Sequence, residues 1–197
     1  MKIVLVGGGS WSGKTTLVNR LKSFWWDQKI LALPLDDYYQ TDMFKDPNLP
    51  RDEFNFDDPK LIWWDLVRQN LEELKAGKTT KKPIYDFVSS HTIGYEEVAP
   101  KPIVILEGIF ALYPKWLRDM ADLKIFVDED IDTMLARRLI RDVKERWREL
   151  DGVLNRYFKF VKPAFFRYVL PYKLNADLVI RTKDLQAVVG KLMALMM

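Results

Sequence analysis

The segment that most restricts this chain is GGGSWSGKTT, residues 7–16, which follows the apolar run IVLV at residues 3–6. Residues 8–15, GGSWSGKT, fit the spacing G-x-x-x-x-G-K-[ST], with an apolar strand pattern before them and the amphipathic stretch TTLVNRLKSFWW after. A strand that turns through glycines into a helix wraps consecutive backbone N–H groups around an anion. The helix opening near Gly13 adds its positive end. Gly8, Gly9, Ser10, Trp11, Ser12, Gly13, Lys14, Thr15 and Thr16 are therefore expected to hold the phosphates of a nucleoside triphosphate. Lys14 would reach the β/γ oxygens, and the Thr15 hydroxyl would ligate Mg²⁺. Such a unit implies an α/β fold of the P-loop NTP-hydrolase/kinase type, with a mainly parallel sheet flanked by helices.

The 197 residues leave room for one such domain and a small inserted lobe. The absence of cysteine excludes disulfides, thiolate metal sites and cysteine nucleophiles, and one histidine, His91, argues against a histidine-based zinc site. The 31 basic and 28 acidic residues are too balanced to signal a nucleic-acid partner. The sequence has neither a signal-like segment nor an apolar run of membrane-spanning length, so a cytoplasmic location with no membrane partner is the expectation.

A phosphate cradle of this kind serves NTPases, GTPase switches and small-molecule kinases. No aspartate here has a glycine three residues later, and RTKDL, residues 181–185, only approaches the guanine-reading T-K-x-D, so a GTPase is disfavoured. Attention moves to carboxylates. KILALPLDD, residues 29–37, is a strand pattern ending in acids, and the crevice of an open parallel sheet lies outside the carboxyl ends of its strands. Asp36 is thus a candidate general base for an attacking hydroxyl, although a strand-end aspartate also serves as a turn or cap residue. KPIVILEG, residues 101–108, is a second buried-strand pattern, and its Glu107 is a candidate to orient Mg²⁺ or to cap the next helix.

Residues 137–148, RRLIRDVKERWR, carry six basic residues against two acidic ones. Helical spacing puts Arg137, Arg141, Lys144 and Arg148 within about 60° of one another, with Leu135, Leu139, Val143 and Trp147 broadly opposite as a core-facing stripe. Arginines suit the charge spread over a migrating phosphoryl group, so the stretch reads as an Arg-rich lid over about residues 141–152. A solvated face with i,i+3 or i,i+4 pairing to Asp142 and Glu145 is the alternative.

With GGSWSGKT, LDDYY at residues 35–39, NFDDP at 55–59, PIYDFVSSHT at 83–92, ILEGIFALY at 105–113 and the long stretch at 126–150, the chain resembles the uridine–cytidine kinase family of P-loop nucleoside kinases, which is related to phosphoribulokinase. The likeness continues through residues 160–180 and so covers nearly the whole chain. It implies Mg²⁺-dependent transfer of the γ-phosphate of ATP or GTP to the 5′-hydroxyl of a pyrimidine ribonucleoside, a reaction of pyrimidine salvage. By motif position it implies Asp36 as base, Asp57 on the ribose hydroxyls, and Tyr39, Tyr85 and Phe87 around the acceptor. It also implies Arg138 and Arg148 near the nucleoside, and Arg141 and Arg146 with Lys14 near the phosphates. A homo-oligomer is implied as well.

Read without the family, NFDDP is a turn leading into a helix over LIWWDLVRQNLEELKAG, capped by Asp58 with Pro59 in its first turn. Residues 78–98 form a small β-hairpin lobe. The departures from the family pattern gather around the acceptor: SSHTIG places Ser90 in the usual histidine column, with His91 fitting after a one-residue shift as a candidate donor to a pyrimidine carbonyl or else a solvated loop histidine, Trp147 replaces a glycine, and Arg156 stands where a glutamine is common. The alternatives are a kinase for another hydroxylated acceptor, such as a different riboside or a sugar phosphate, and a nucleotide-binding regulator without acceptor chemistry.

Overall fold

The computed structural model describes residues 1–24, 28–40, 53–144, 149–184, 189–190 and 192. The first strand, β1 (Lys2–Gly8), is buried along almost its whole length and runs into the glycine turn and then α1 (Lys14–Phe24). The chain returns as β2 (Ile30–Pro34), which ends in a 3-10 turn over Leu35–Tyr38. A second 3-10 turn, Pro59–Leu61, precedes α2 (Trp64–Lys75). The hairpin follows as β3 (Thr80–Asp86) and β4 (His91–Val98), then β5 (Ile103–Glu107), α3 (Lys115–Met120), β6 (Leu123–Asp128) and α4 (Ile131–Lys144). After α5 (Leu150–Arg156), wide and narrow helical turns lead to β7 (Leu178–Arg181).

Five of these strands form one parallel sheet in the order β2-β5-β1-β6-β7, and β3 and β4 pair antiparallel as a separate hairpin. The all-apolar strands make sense because both faces are covered. Ile3, Leu5, Leu33, Val104, Leu106 and Phe126 pack on one side with Val67, Leu71 and Leu74 of α2. Val4, Val6, Ile30, Ile105, Ile125 and Val127 pack on the other with Leu17, Val18 and Leu21 of α1. Successive residues alternate between the faces as the pleat requires.

Two expectations are corrected. The helix expected from Leu61 onward begins at Trp64. Residues 61–63 are held instead by the turn after β2: Gln40 N–H donates to Leu61 O at 2.8 Å, Trp63 N–H donates to Tyr38 O at 2.8 Å, and Tyr39 bridges Ile62. These tertiary bonds outweigh local helix preference, so Asp58 caps only the short Pro59 turn, its Oδ1 accepting from Lys60 N–H at 3.0 Å. In α4 the expected apolar stripe of Leu135, Leu139 and Val143 is only partly covered, whereas Met134 and Asp142 are buried. The inward face of α4 lies against the glycine turn and the cleft beside it, so it presents polar groups there.

Candidate active site

Register places the chemistry. Glu107, the last residue of β5, is level with Val6 of β1 and Pro34 of β2, so the glycine turn, Glu107 and Asp36 leave the sheet side by side at its carboxyl edge. The turn keeps the conformation its glycines allow. Gly8 has φ +143° and Gly13 φ +96°, and a Cβ on Gly8 would lie 2.4 Å from Val127 O. Trp11, with φ +71°, adopts the left-handed region without that freedom. Lys14 Nζ donates to Gly9 O at 2.7 Å across the loop, and Thr15 Oγ1 donates to Glu107 Oε1 at 2.9 Å.

Ser12 Oγ is buried and has no hydrogen-bond partner among the described residues. An orphaned hydroxyl in the turn between the positive-φ glycines Gly8 and Gly13, with Lys14 reaching across it, fits a polyphosphate. The Thr15 hydroxyl against the Glu107 carboxylate is a donor set of hard oxygens that fits Mg²⁺.

The loop is braced from outside. Thr182 Oγ1 donates to Ser12 O at 2.6 Å, and Arg137 Nη1 donates to Trp11 O at 3.2 Å while pairing with Glu129 at 3.0 Å. The Arg141 guanidinium lies 4.4 Å from the Trp11 ring centre. Asp142, fully buried, gathers two arginines of α4: its Oδ1 accepts from Arg141 Nε at 2.7 Å, and its Oδ2 lies 3.6 Å from Arg138 Nε. Sequence reasoning treated Asp142 as a surface pairing partner. Its position four residues after Arg138 and next to Arg141, as an acid inside a basic run, was the available signal.

Between the loop and the hairpin lies a cleft of about 650 Å³. Asp36, Asp57, Glu149, Arg138, Arg141 and Arg156 supply its charges, and Tyr39, Phe56, Tyr85, Phe87, Ile109 and Val153 its apolar wall. Asp36 is exposed to the cleft as a residue, while the walls of that cleft crowd its carboxyl. Burial, with the neighbouring Glu107, raises its pKa from 3.8 to about 6, against the pull of Lys14. Burial likewise raises Asp57, while Arg138 and Arg156 draw it back. Burial lowers Lys14, opposed by Glu107 and Asp36.

Tyr39 OH donates to Phe56 O at 3.0 Å, and its ring packs 5.6 Å from that of Tyr85, which meets Phe87 edge-on at 5.1 Å. Arg156 lies 5.4 Å from the Phe56 ring centre, and its Nη2 donates to Phe54 O at 3.4 Å.

The structure thus brings together the glycine turn, Asp36, Glu107, Asp57, Tyr39, Tyr85, Phe87, Arg138 and Arg141. It does not bring in His91, which is exposed at the start of β4 opposite Asp86 and outside the cleft lining. Ser90 takes that place, buried with φ +62°, because a left-handed residue at the hairpin tip turns its side chain toward the cleft. Arg146 and Arg148, with Trp147, lie outside the described residues, as does the middle of the expected lid.

A strand-loop-helix phosphate cradle at the centre of a parallel 2-5-1-6-7 sheet, beside a carboxylate-bearing acceptor cleft, defines a P-loop protein of the kinase architecture. The chain belongs to the Phosphoribulokinase / Uridine kinase family, whose model matches residues 3–188. It is 41% identical over 182 residues to uridine-cytidine kinase B of Dictyostelium discoideum, covering 90% of this chain and 73% of that one. It is 42% identical over 180 residues to the uridine kinase of Staphylococcus haemolyticus, covering 90% and 86%. Among solved structures, phosphoribulokinase from Rhodobacter spheroides superposes with a TM-score of 0.63 at 13% identity, over 89% of this chain and 68% of that one, which is a likeness of fold.

Proposed function

We propose that this protein transfers the γ-phosphate of ATP to the 5′-hydroxyl of a pyrimidine ribonucleoside, uridine or cytidine. The observation that carries the reading is the position of Asp36, a carboxylate with its pKa raised to about 6, at the strand end between the phosphate cradle and the aromatic cleft that also holds Asp57. The uridine kinase relatives supply the acceptor class.

Each side chain then has a task. Tyr85, Phe87, Phe56 and Ile109 offer apolar surface to a planar base. Asp57 accepts hydrogen bonds from ribose hydroxyls, with Arg138 and Arg156 opposing the rise that burial imposes on its pKa. Asp36 takes the proton of the 5′-hydroxyl as the new O–P bond forms and the bond to the bridging oxygen of the leaving ADP breaks. Lys14 and Arg141 donate to the phosphoryl oxygens, whose charge is greatest in that state. Thr15 and Glu107 are the residues that would hold Mg²⁺, which when bound screens the polyphosphate charge.

ADP release with MgATP, measured across uridine, cytidine, other ribosides and sugar phosphates, tests the reading. Saturable turnover with uridine or cytidine is expected. Turnover with only another acceptor would overturn the assigned substrate, and nucleotide binding without acceptor-dependent turnover would favour the regulator.

A further inference from the structure

Among the described residues, the mechanism leaves one buried cation, Lys82, unused. Lys82 of β3 is 9% exposed and does not line the cleft. Its Nζ donates to Asp37 Oδ2 at 2.9 Å and pairs with Glu96 Oε2 of β4 at 3.0 Å. Burial works against its charge, but the hydrogen bonds to Asp37 and Glu96 outweigh it and hold the lysine above its ordinary range. Asp37 is the immediate neighbour of Asp36.

The next two residues of the same turn also grip the hairpin. Tyr38 OH donates to Asn70 Oδ1 at 2.8 Å, and Asn70 Nδ2 donates to Thr80 Oγ1 at 2.6 Å. The Tyr39 ring meets that of Tyr85. Residues 37, 38 and 39 thus reach Lys82, Thr80 and Tyr85 of one strand, directly or through one side chain. Asp36, just before them, lines the cleft, as Tyr39 does.

We propose that Lys82 is a positioning residue: by clamping Asp37 it locks the turn that carries Asp36 to the acceptor-side hairpin, so that base and acceptor share one rigid frame. This rests on the reading of Asp36 as base and of the hairpin as the acceptor wall. A buried ion pair is weak support for stability, because desolvation cancels much of the attraction, but it is strict about geometry. Geometry is what this site needs, since a shift of about 1 Å at a reacting group costs on the order of 100-fold in rate. Among the described residues the hydrogen bonds and ion pairs of Lys82 go to Asp37 and Glu96, not to the ATP-binding loop, so the effect should fall on turnover with the acceptor and not on nucleotide binding.

The test uses Lys82→Met, Asp37→Asn and the double variant, each first checked for cooperative unfolding. Asp37→Asn preserves shape and a hydrogen-bond acceptor, so it remains folded if removing the lysine proves too disruptive. The expected result is a kcat lower by on the order of tenfold or more in each single variant, with KM for ATP within about twofold of wild type. The double variant should be no worse than the poorer single, because both remove one link.

A second readout, amide hydrogen exchange of the unliganded proteins, should show faster exchange in residues 35–40 and 80–86 together, with β1 and α1 unchanged. A kcat within about twofold of wild type in a folded variant overturns the proposal, as do additive single effects. Failure of wild type to phosphorylate either pyrimidine riboside overturns the substrate reading instead. The exchange measurement then decides the link alone: faster exchange in the hairpin with an unchanged 35–40 turn refutes it.

Discussion

Replacing Asp36 with asparagine separates chemistry from stability, because the two respond in opposite directions. The variant keeps size and one acceptor oxygen but cannot take the hydroxyl proton. Loss of general-base assistance lowers kcat by about 100- to 10,000-fold, equivalent to roughly 3–5 kcal/mol in the barrier. Lys14, Thr15, Arg141 and the glycine turn are untouched, so ATP binding persists. The folded protein binds the Asp36 proton more tightly than the unfolded chain, about 6 against 3.8, so ionisation of this group subtracts stability as pH rises through that interval. Asparagine never carries that charge.

The variant should therefore melt higher than wild type above about pH 6, and the gap should close toward about pH 4, where the folded wild type is already protonated. Wild-type kcat/KM should fall below about pH 6 with a slope of about one, and the variant should lack that limb. Acceptor-dependent ADP release, nucleotide titration and thermal unfolding across pH measure all of this. Near-normal turnover in Asp36→Asn with ATP binding intact would refute its role as base. An unchanged melting profile would refute the electrostatic reasoning.

Two further perturbations address the loop and the arginine clamp. Asp142→Asn removes the negative charge that pairs with Arg141 and Arg138 and should cost about 1–3 kcal/mol in urea unfolding, with a lower kcat as the arginines lose their anchor; unchanged kcat in the destabilised protein would mean that the arginines are placed by other contacts. Gly8→Ala puts a Cβ 2.4 Å from Val127 O at φ +143°, so a loss of about 3 kcal/mol or more and weakened ATP binding are expected. A variant of wild-type melting temperature would show the loop to be less tightly packed against β6 than described.

The sequence by itself determined the parts whose physics is local. A glycine turn between an apolar strand and a helix is a phosphate site wherever it folds, because the backbone N–H groups and the positive φ values are properties of those residues. The strand patterns ending in Asp36 and Glu107 were legible for the same reason: unbroken apolar runs are buried on both faces, and acids at their carboxyl ends meet the crevice of a parallel sheet.

What only the tertiary structure decided depends on partners distant in the chain. Ile62 forms a bridge and not a helix because Tyr39 lies beside it. Ser90 displaces His91 from the cleft because its left-handed backbone at the hairpin tip decides which side chain turns inward. Helical periodicity assumed that the inward face of α4 is apolar, but that face meets a phosphate loop and an acceptor cleft, so a buried carboxylate sits there between two arginines. Lys82 is a surface lysine by pattern and an internal one by structure, because the carboxylates that permit its burial come from the turn after β2 and from β4, and only the packed fold brings them together.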